Sequence, residues 1–557
     1  MKERKKRILF CSEATFLNTG YATYTREVME YLHSTGKYEL AELAAYGQRN
    51  DPRGLALPWR YYGVKPNVEY QPRASREELA SFESTPFNQF GEFIFEDVCL
   101  DFKPDIVFDI RDFWMLEFVE RSPFRKFFNW VIMPTVDAMP QARQWISTYA
   151  GADAVFSYSE WSGDIMQDQS GGKINYVGTA PPSANSAYQP MDKEHCRGLL
   201  GIDKELKVVG TVMRNQRRKL YPDLFEAWSK FLDTVNNPNE YALYCHTSYP
   251  DLGWNIPELL QQNGVSSSVY FTYMCPETKK TFASLFCGAI CESPFTGKYN
   301  ATMCNVKEGA TYEQLAQIMN CFDLYIQYAN SEGFGLPQVE AAACGIPVMS
   351  VDYSAMSSVV RNLGGIALKP KALYKELETG CYRAVPDNEN TAQQIYNFFE
   401  SESLKKYFSD DSLKGFKKHY QWNITGDRLS EVFDSFPIRP VEETWESGPR
   451  VFKPSPKLEK VNGVSHKDLA RWLIIHVLRE PERLNTQFES RLTRDLMYQS
   501  KDSTTSKVYE NENSAAFDGK VLRMPFNFDI AYREMVKIAE KRNYWEKKRI
   551  SMARSNS

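Results

Sequence analysis

The stretch YANSEGFGLPQVEAAACGIPV, residues 328–348, decides the local fold around the main candidate site. The apolar and aromatic run just before it, residues 322–328, predicts a strand because it has no helical period. Gly333 and Gly335 predict a tight loop after that strand. Pro337 follows them, and proline is well accepted at the first position of a helix.

A short helix and a second strand are expected after the loop. Residues 338–344 continue as helix, Gly345 is placed to end it in the left-handed conformation, and residues 346–351 predict the strand. Such a unit points free backbone N–H groups and the positive end of a helix at one position in front of a sheet. We therefore expect an anion to bind there.

Two carboxylates flank this position, Glu332 in the loop and Glu340 one turn into the helix. Helical side chains lean toward the N-terminus, so Glu340 is expected to point back at the loop. Carboxylates repel a bare phosphate but accept hydrogen bonds from hydroxyl groups. The pattern predicts a ligand with hydroxyls on both sides of a diphosphate, as in a sugar nucleotide. An ordinary strand-to-helix turn with two surface glutamates is the alternative.

The string from Glu332 to Val348 resembles the signature of the retaining glycosyltransferases of the GT-B fold, specifically glycosyltransferase family four, the group 1 transferases. The resemblance covers roughly residues 1–435. It implies an α/β fold of two facing Rossmann-like, doubly wound domains. It also implies that Glu340 holds the ribose hydroxyls of the donor and that Glu332 contacts the donor sugar. The other expected donor-binding residues of this loop are Gly333, Phe334, Gly335 and Leu336.

Length and composition are those of a multidomain globular protein. A chain of 557 residues exceeds a single core, so two domains and an appendage are expected. The net charge of −4 is not that of a general polyanion binder, although a local basic patch would still allow nucleic acid. The apolar run 8–11 is too short for a signal peptide, and no run approaches the roughly 18 apolar residues of a membrane helix. With eleven cysteines, mostly in apolar surroundings, we expect a cytoplasmic protein with reduced thiols.

The N-terminal half shows the start of a doubly wound domain. Apolar runs at residues 7–11, 105–110 and 130–133 predict buried parallel strands. Gly20 predicts a turn between the first strand and its helix. The resemblance places this turn near the donor's phosphates and sugar, and a purely structural turn is the alternative.

Ligands in open α/β sheets bind beyond the carboxyl ends of the strands, which places Arg111, Asp112 and Asp137 at the rim of the cleft. Members of the family commonly carry a histidine in this region, but the chain has none between His33 and His195. Asp137 is therefore the candidate to orient the donor sugar or to act on the acceptor hydroxyl. A helix-capping aspartate is the alternative.

The second half begins with a strand at residues 207–213, and a cationic run follows it. A diphosphate leaving group gains negative charge as the glycosidic bond breaks, so fixed cations stabilise the transition state more than the ground state. The spacing of Arg214 and Lys219 resembles the family's diphosphate pair, and Arg217 and Arg218 are additional. Because cations offer an alternative to a metal, and the Asp-x-Asp motif of metal-dependent transferases is missing from the sequence, we expect no metal requirement. A solvated charge run is the alternative.

Three further residues are singled out in this half. His246 ends a predicted strand and is a candidate for contact with phosphate or nucleotide, with a structural histidine as the alternative. By resemblance, Ser354 lies in a loop that closes over the donor and is a candidate for contact with phosphate or sugar. By resemblance also, Trp422 lies where the chain crosses back toward the first domain.

Residues 269–306 depart from the family pattern and predict an inserted β-ribbon. Cysteines 275, 287, 291 and 304 lie in it, without the paired Cys-x-x-Cys knuckles of a four-sulfur zinc site. We interpret the segment as a ribbon that resembles a zinc ribbon but has lost its ligand pairs. Zinc binding by these cysteines is the alternative.

We place the domains at residues 1–185 for the acceptor, 190–435 for the nucleotide sugar, and 436–557 for a mainly helical, partly flexible extension. In the extension, residues 466–479 predict an amphipathic helix and residues 530–549 a final helix with a basic end. We expect the final helix to pack on the N-terminal domain. A membrane surface or nucleic acid is the alternative partner.

The sequence as a whole predicts a metal-independent, retaining glycosyltransferase that moves a sugar from a nucleoside-diphosphate sugar, expected to be a UDP- or GDP-sugar, to an acceptor hydroxyl. The acceptor is a glycan, a lipid, a protein or a modified DNA base. The ribbon insertion and the variant Tyr328-Ala-Asn at the start of the motif resemble phage-encoded transferases, which makes a hydroxymethylated DNA base one candidate. A nucleotide-sugar hydrolase or epimerase of the GT-B fold and a non-catalytic nucleotide-sugar-binding module are the alternatives.

Overall fold

The computed structural model describes residues 4–67, 74–305, 309–446, 467, 470–471, 474–475, 481–486, 488–490, 492–493 and 528–555. Its first half is built on a parallel sheet with the strands β1 (Lys6–Glu13), β2 (Tyr38–Gln48), β3 (Arg60–Lys65), β4 (Ile106–Asp109), β5 (Asn129–Ile132), β6 (Ala154–Ser157) and β7 (Tyr176–Thr179). The strand order is β3-β2-β1-β4-β5-β6-β7. The helices of this half are α1 (Gly20–Ser34), α2 (Pro52–Leu55), α3 (Ala74–Glu83), α4 (Phe95–Phe102), α5 (Phe113–Arg121), α6 (Arg143–Tyr149) and α7 (Glu160–Ser170).

Both faces of this first sheet are covered. Ile8 and Phe10 of β1 belong to one hydrophobic cluster, whereas Leu9 and Cys11 belong to another on the opposite face. A parallel sheet buried on both sides needs apolar residues at consecutive positions, and β1 has them. The prediction of a doubly wound α/β half is confirmed.

The second half is built on a mixed sheet with the strands β8 (Lys207–Val212), β9 (Tyr241–His246), β10 (Val269–Met274), β11 (Thr281–Leu285), β12 (Ile290–Glu292), β13 (Tyr299–Met303), β14 (Leu324–Gln327), β15 (Val348–Val351) and β16 (Ile366–Leu368). The strand order is β12-β13-β10-β9-β8-β14-β15-β16, and β11 also pairs with β10. A separate hairpin is formed by β17 (Ala372–Lys375) and β18 (Tyr382–Val385).

The helices from this half onward are α8 (Lys193–Leu200), α9 (Tyr221–Leu232), α10 (Ile256–Gln262), α11 (Tyr312–Met319), α12 (Leu336–Ala343), α13 (Ala355–Asn362), α14 (Asn388–Glu400), α15 (Glu402–His419), α16 (Trp422–Ser435), α17 (Val441–Thr444) and α18 (Phe528–Ser555). Short 3-10 helices are formed by Pro86–Phe90, Pro238–Glu240 and Pro481–Arg483. None of the described helices combines the length and the apolar character that crossing a bilayer requires.

The predicted ribbon is an antiparallel addition to the edge of the second sheet. β11 and β13 both pair with β10, and β12 pairs with β13. The thiol of Cys275 donates to Glu277 Oε2 at 3.4 Å and is also hydrogen-bonded to the hydroxyls of Ser293 and Thr278. Among the described residues, no three His, Cys, Asp or Glu side chains are grouped as metal ligands.

One pair of cysteines corrects the expectation of reduced thiols. Cys287 and Cys291 form a disulfide, and the other nine cysteines are free. Gly288, with φ +104°, turns the chain between the two, and their Cα atoms are 5.7 Å apart. Sequence spacing alone did not show this turn.

Helix α16 connects the two halves. The ring of Trp422 contacts that of Tyr24 with centroids 5.8 Å apart, as the resemblance predicted. The ammonium of Lys6 donates to the carbonyl oxygens of Phe433 (2.5 Å) and Phe436 (2.6 Å) at the end of α16. A cation there satisfies carbonyls that the helix leaves unpaired.

The final helix packs on the N-terminal half, as expected. The ring of Trp545 is 6.2 Å from that of Phe124, and Arg549 Nη1 donates to the carbonyl oxygen of Trp445 at 2.6 Å. Lys548 forms an ion pair with Asp97. The predicted helix at residues 466–479 lies largely outside the described residues.

We predict that Gly426→Ala lowers the melting temperature by a few degrees, corresponding to about 1–3 kcal/mol of overpacking. A Cβ at Gly426 in α16 would lie 2.0 Å from Cδ1 of Tyr31 in α1. Gly198→Ala is the matched control, because a Cβ on that helical glycine would have no atom within 4 Å. Thermal unfolding checks both variants, and equal melting temperatures would contradict the close packing of α16 on α1.

Candidate functional site

The loop after β14 has the geometry that its glycines predicted. Gly335 has φ +88° and precedes α12. The helix begins at Leu336, so Pro337 occupies its second position rather than the predicted first. A Cβ on Gly333 would lie 2.4 Å from Cγ2 of Thr135 in the N-terminal half. Glycine is needed at 333 because the loop passes directly against the other half.

Glu332 and Lys219 form a buried ion pair beside this loop, with residue exposures of 5% and 7%. Gln327 Nε2 donates to Glu332 at 3.0 Å, and the backbone N–H of Glu332 donates to Ser354 Oγ at 2.9 Å. Burial lowers the pKa of Lys219 well below its ordinary value, and the guanidinium of Arg218 lowers it further. Both effects oppose the charged form of Lys219, whereas the paired carboxylate of Glu332 favours it, and a second anion beside Lys219 would favour it further.

Ser354 supports the loop from below. It is fully buried, and its φ of +56° is rare for a residue other than glycine. Its hydroxyl accepts the backbone N–H of Glu332, which fixes the carboxylate-bearing residue. The strained backbone conformation therefore belongs to the residue that hydrogen-bonds to Glu332 of the candidate site.

Arg214 and Arg218 of the cationic run differ in position. Arg214 forms a two-point ion pair with Asp251, at 2.9 and 3.0 Å, which lowers the pKa of Asp251 to about 2. Arg218 Nε instead lies 3.6 Å from Glu332 Oε2. The structure therefore brings Arg218, rather than Arg214, together with Lys219.

Asp137 lies at the junction of the two halves. Arg383 Nη1 pairs with it at 2.8 Å, and Ser331 Oγ donates to it at 3.4 Å. Arg383 also pairs with Glu376 at 2.9 Å. Burial opposes the charge of Arg383, but the two carboxylates outweigh it and raise its pKa. Sequence analysis missed Arg383 because a single arginine in a short hairpin carries no local signal.

Asp112 reaches the cleft, whereas Arg111 does not. The Tyr21 hydroxyl donates to Asp112 Oδ1 at 2.7 Å, and Thr135 also hydrogen-bonds to Asp112. Burial raises the pKa of Asp112. The prediction that Arg111 lies at the rim is wrong: it is fully buried and holds Asp109 at 2.6 and 2.8 Å. The ion pair with Asp109, the last residue of β4, holds the guanidinium of Arg111 in the protein interior.

Gly20 and His246 have different surroundings. Gly20 is the first residue of α1, is exposed, and has no atom within 4 Å of the position of a Cβ, which leaves room beside Tyr21. His246 Nδ1 lies 3.0 Å from Thr272 Oγ1, and burial lowers its pKa to about 4. The imidazole is neutral at pH 7 and offers no charge to a phosphate, which favours the structural alternative for His246.

Glu340 is buried on α12. Its residue exposure is 8%, and burial raises the pKa of its carboxyl to about 7. Tyr188, which precedes α8, hydrogen-bonds to it. The tyrosine was missed because it is distant in sequence from the motif. A carboxyl that ionises near neutrality in this place can accept hydrogen bonds from ligand hydroxyls in its charged form.

Phe334 and Leu336 direct their side chains into packing. Phe334 is 8% exposed, and its ring contacts that of Tyr420 edge-on with centroids 5.7 Å apart. Leu336 packs against the same hydrophobic cluster. Their side chains therefore serve the core, and a donor contact from them would come from backbone groups.

Comparisons with known proteins agree with this architecture. Residues 298–400 match the profile of the family Glycosyl transferases group 1. D-inositol 3-phosphate glycosyltransferase of Rhodococcus erythropolis is 25% identical over 193 residues, which are 33% of this chain and 34% of that protein. The chain thus spans about a third of the length of this curated relative.

Solved structures match over most of the chain. Sucrose-phosphate synthase of Thermosynechococcus elongatus aligns with a TM-score of 0.55 at 16% identity, over 77% of this chain and 98% of that one. HepE of Anabaena, solved in complex with UDP, aligns with a TM-score of 0.53 at 14% identity, over 78% of this chain and 100% of that one. At such identities the likeness concerns the fold. The chain therefore has the two-domain GT-B fold, and its residues 298–400 are similar to the family Glycosyl transferases group 1.

Proposed function

We propose that the chain is a retaining glycosyltransferase that moves a sugar from a nucleoside-diphosphate sugar to an acceptor hydroxyl. The observation that carries the proposal is the buried ion pair of Lys219 and Glu332 beside the glycine loop, next to the N-terminal half. A fixed cation beside a fixed carboxylate suits a reaction in which a diphosphate leaves a hydroxyl-bearing sugar.

In this proposal, different residues contact different parts of the donor. Lys219 and Arg218 balance the charge that develops on the diphosphate, and Arg214 does so if it leaves Asp251. Glu332 positions the sugar, and Glu340 accepts the ribose hydroxyls. Lys219, Glu332 and Glu340 are already held by their partners, so these three need little reorganisation when the substrate binds. Arg214, in contrast, would have to exchange Asp251 for the diphosphate.

Retention follows if the acceptor attacks on the face that the diphosphate leaves. The bond from the anomeric carbon to the diphosphate oxygen breaks as the acceptor oxygen bonds to that carbon, and the departing diphosphate takes the acceptor's proton. Lys219 and Arg218 supply the positive charge for this step, so we propose that no metal is required. Asp137 orients the sugar from the N-terminal side.

The donor is the first substrate to identify. We expect one nucleoside-diphosphate sugar among UDP-, GDP- and ADP-sugars to raise the melting temperature of the wild type but not that of Glu340→Ala, and CMP-sugars, which are monophosphates, to have no effect. UDP-sugars are tested first because HepE, which shares the fold, was solved with UDP. Glu205→Ala, at a side chain 82% exposed, is the control. If no donor stabilises the wild type, the binding role of Glu340 and the proposed function are both wrong.

Replacing either member of the ion pair should abolish most turnover. We predict that Lys219→Met and Glu332→Gln each lower kcat by about 10²- to 10³-fold, because each removes charge stabilisation at the leaving group or the sugar. Released nucleotide and product are measured, with and without EDTA, and proton NMR gives the anomeric configuration of the product.

Arg217→Met is the matched control for these two variants. Arg217 belongs to the same cationic run, but its side chain is 87% exposed. We expect it to keep near-normal turnover. Near-normal turnover of Lys219→Met or Glu332→Gln with an unchanged melting temperature would show that the pair has no catalytic role.

Donor affinity should depend on pH through Glu340. Its pKa of about 7 means that the carboxyl is mostly protonated at pH 6 and ionised at pH 8. Ribose hydroxyls donate to the ionised form, so we predict that the donor binds up to about tenfold more tightly at pH 8 than at pH 6. Lys219 contributes with the opposite sign, because protonation there favours the diphosphate.

Calorimetric titration of wild type and Glu340→Gln from pH 6 to 8 separates the two contributions. Lys219 is present in both proteins, so their difference isolates Glu340. An intact nucleotide sugar is used because the terminal phosphate of a free nucleotide titrates near pH 6. If both proteins show the same pH dependence, the ribose contact with Glu340 is wrong.

A further inference from the structure

Two large aromatic side chains are exposed at the carboxyl edge of the first sheet. Tyr46 lies near the end of β2 and is 43% exposed, and Trp114 lies in the first turn of α5 and is 47% exposed. Ligands of open α/β sheets bind at this edge. Exposed aromatic rings there are available to a substrate.

The rings of Tyr46 and Trp114 both pack on the ring of Phe90. Phe90, only 3% exposed, contacts Tyr46 with centroids 6.1 Å apart and Trp114 with centroids 4.9 Å apart, both edge-on. The guanidinium of buried Arg111 donates to the backbone carbonyl of Phe90 at 2.7 Å. The exposed pair therefore rests on a rigid base.

Tyr46 is held in a strained conformation. Its φ is +62°, a region that a bulky residue rarely adopts, and it lies where the pairing of β2 with β3 shifts register between Ala44 and Gln48. Such strain costs of the order of 1–3 kcal/mol and is typical of functional sites. Here it keeps the phenol ring at the surface.

Two carboxylates at the same edge of the sheet act on Tyr46 through their charge. Glu13 ends β1 and Asp112 follows β4, and after burial their charges are the causes that raise the pKa of Tyr46. Burial raises the pKa of Glu13 as well. We call Tyr46, Trp114, Glu13 and Asp112 the aromatic rim.

The aromatic rim is continuous with the loop after β14, which carries Glu332 and Gly333. Asp112 is hydrogen-bonded to Tyr21 and Thr135, and Thr135 is the residue that contacts Gly333. One end of the rim, at Asp112, therefore lies close to the loop that carries Glu332.

We propose that the aromatic rim binds a carbohydrate acceptor, so that the transferase extends a glycan. The inference rests on the proposed function and names its acceptor. Sugar rings place apolar C–H faces on aromatic side chains, and their hydroxyls donate to carboxylates. Glu13 and Asp112 repel phosphate groups, which disfavours a DNA acceptor at this position.

The test compares acceptors with a labelled donor identified beforehand. Maltotriose, cellotriose, chitotriose and mannotriose are offered beside duplex DNA containing 5-hydroxymethylcytosine and a Ser/Thr peptide. We expect label on a saccharide and none on DNA or peptide. Label on DNA or peptide instead of a saccharide would overturn the inference.

Variants then locate the acceptor. We predict that Tyr46→Ala and Trp114→Ala each raise the KM for the saccharide about tenfold, with the donor KM and melting temperature unchanged. Tyr407→Ala, at an exposed tyrosine of α15, is the matched control. An unchanged acceptor KM in both rim variants would overturn the inference.

A fluorescence titration separates this inference from the proposed function. Saccharide binding should change the emission of the wild type but not that of Trp114→Phe. If the donor binds and is turned over, but no saccharide is labelled or changes the emission, the carbohydrate acceptor is wrong while the donor chemistry stands. If no donor binds, the proposed function itself is wrong.

Discussion

The ion pair between Lys219 and Glu332 is the interaction on which the site depends. A buried lysine is stable as a cation only if a carboxylate and further hydrogen bonds compensate its lost hydration. Glu332 meets this need, and it is itself fixed through Gln327 and Ser354. Because the cation is held before any ligand arrives, its field is available to a diphosphate without a change in the loop.

The two halves complete the site together. Asp137 of the first half is held by Arg383 of the second, and Ser331 of the glycine loop donates to the same carboxylate. Lys6 holds the end of α16, so the chain that returns from the second half is anchored on the first. The distance between the loop after β14 and the first half is therefore set by ion pairs and packing, and not by the connecting segment alone.

Local chemistry could be predicted from the sequence, and long-range pairing could not. The loop at Gly333 and Gly335 and the helix after it follow from residue types a few positions apart. The preference for Arg218 over Arg214 depends on Asp251, which lies in another loop. The inward turn of Arg111 depends on how the strand before it is buried.

The two walls of the cleft differ in charge. The second half contributes the cations Lys219 and Arg218, which share the carboxylate of Glu332, and the first half contributes the carboxylates of Asp112 and Glu13. For the proposed reaction, this difference attracts a diphosphate to the second half and repels it from the first, which favours one orientation of the donor. In that orientation the reacting carbon would face the first half, where hydroxyls rather than phosphates are favoured. On the proposed function, one difference in charge would both orient the donor and select the chemistry of the acceptor.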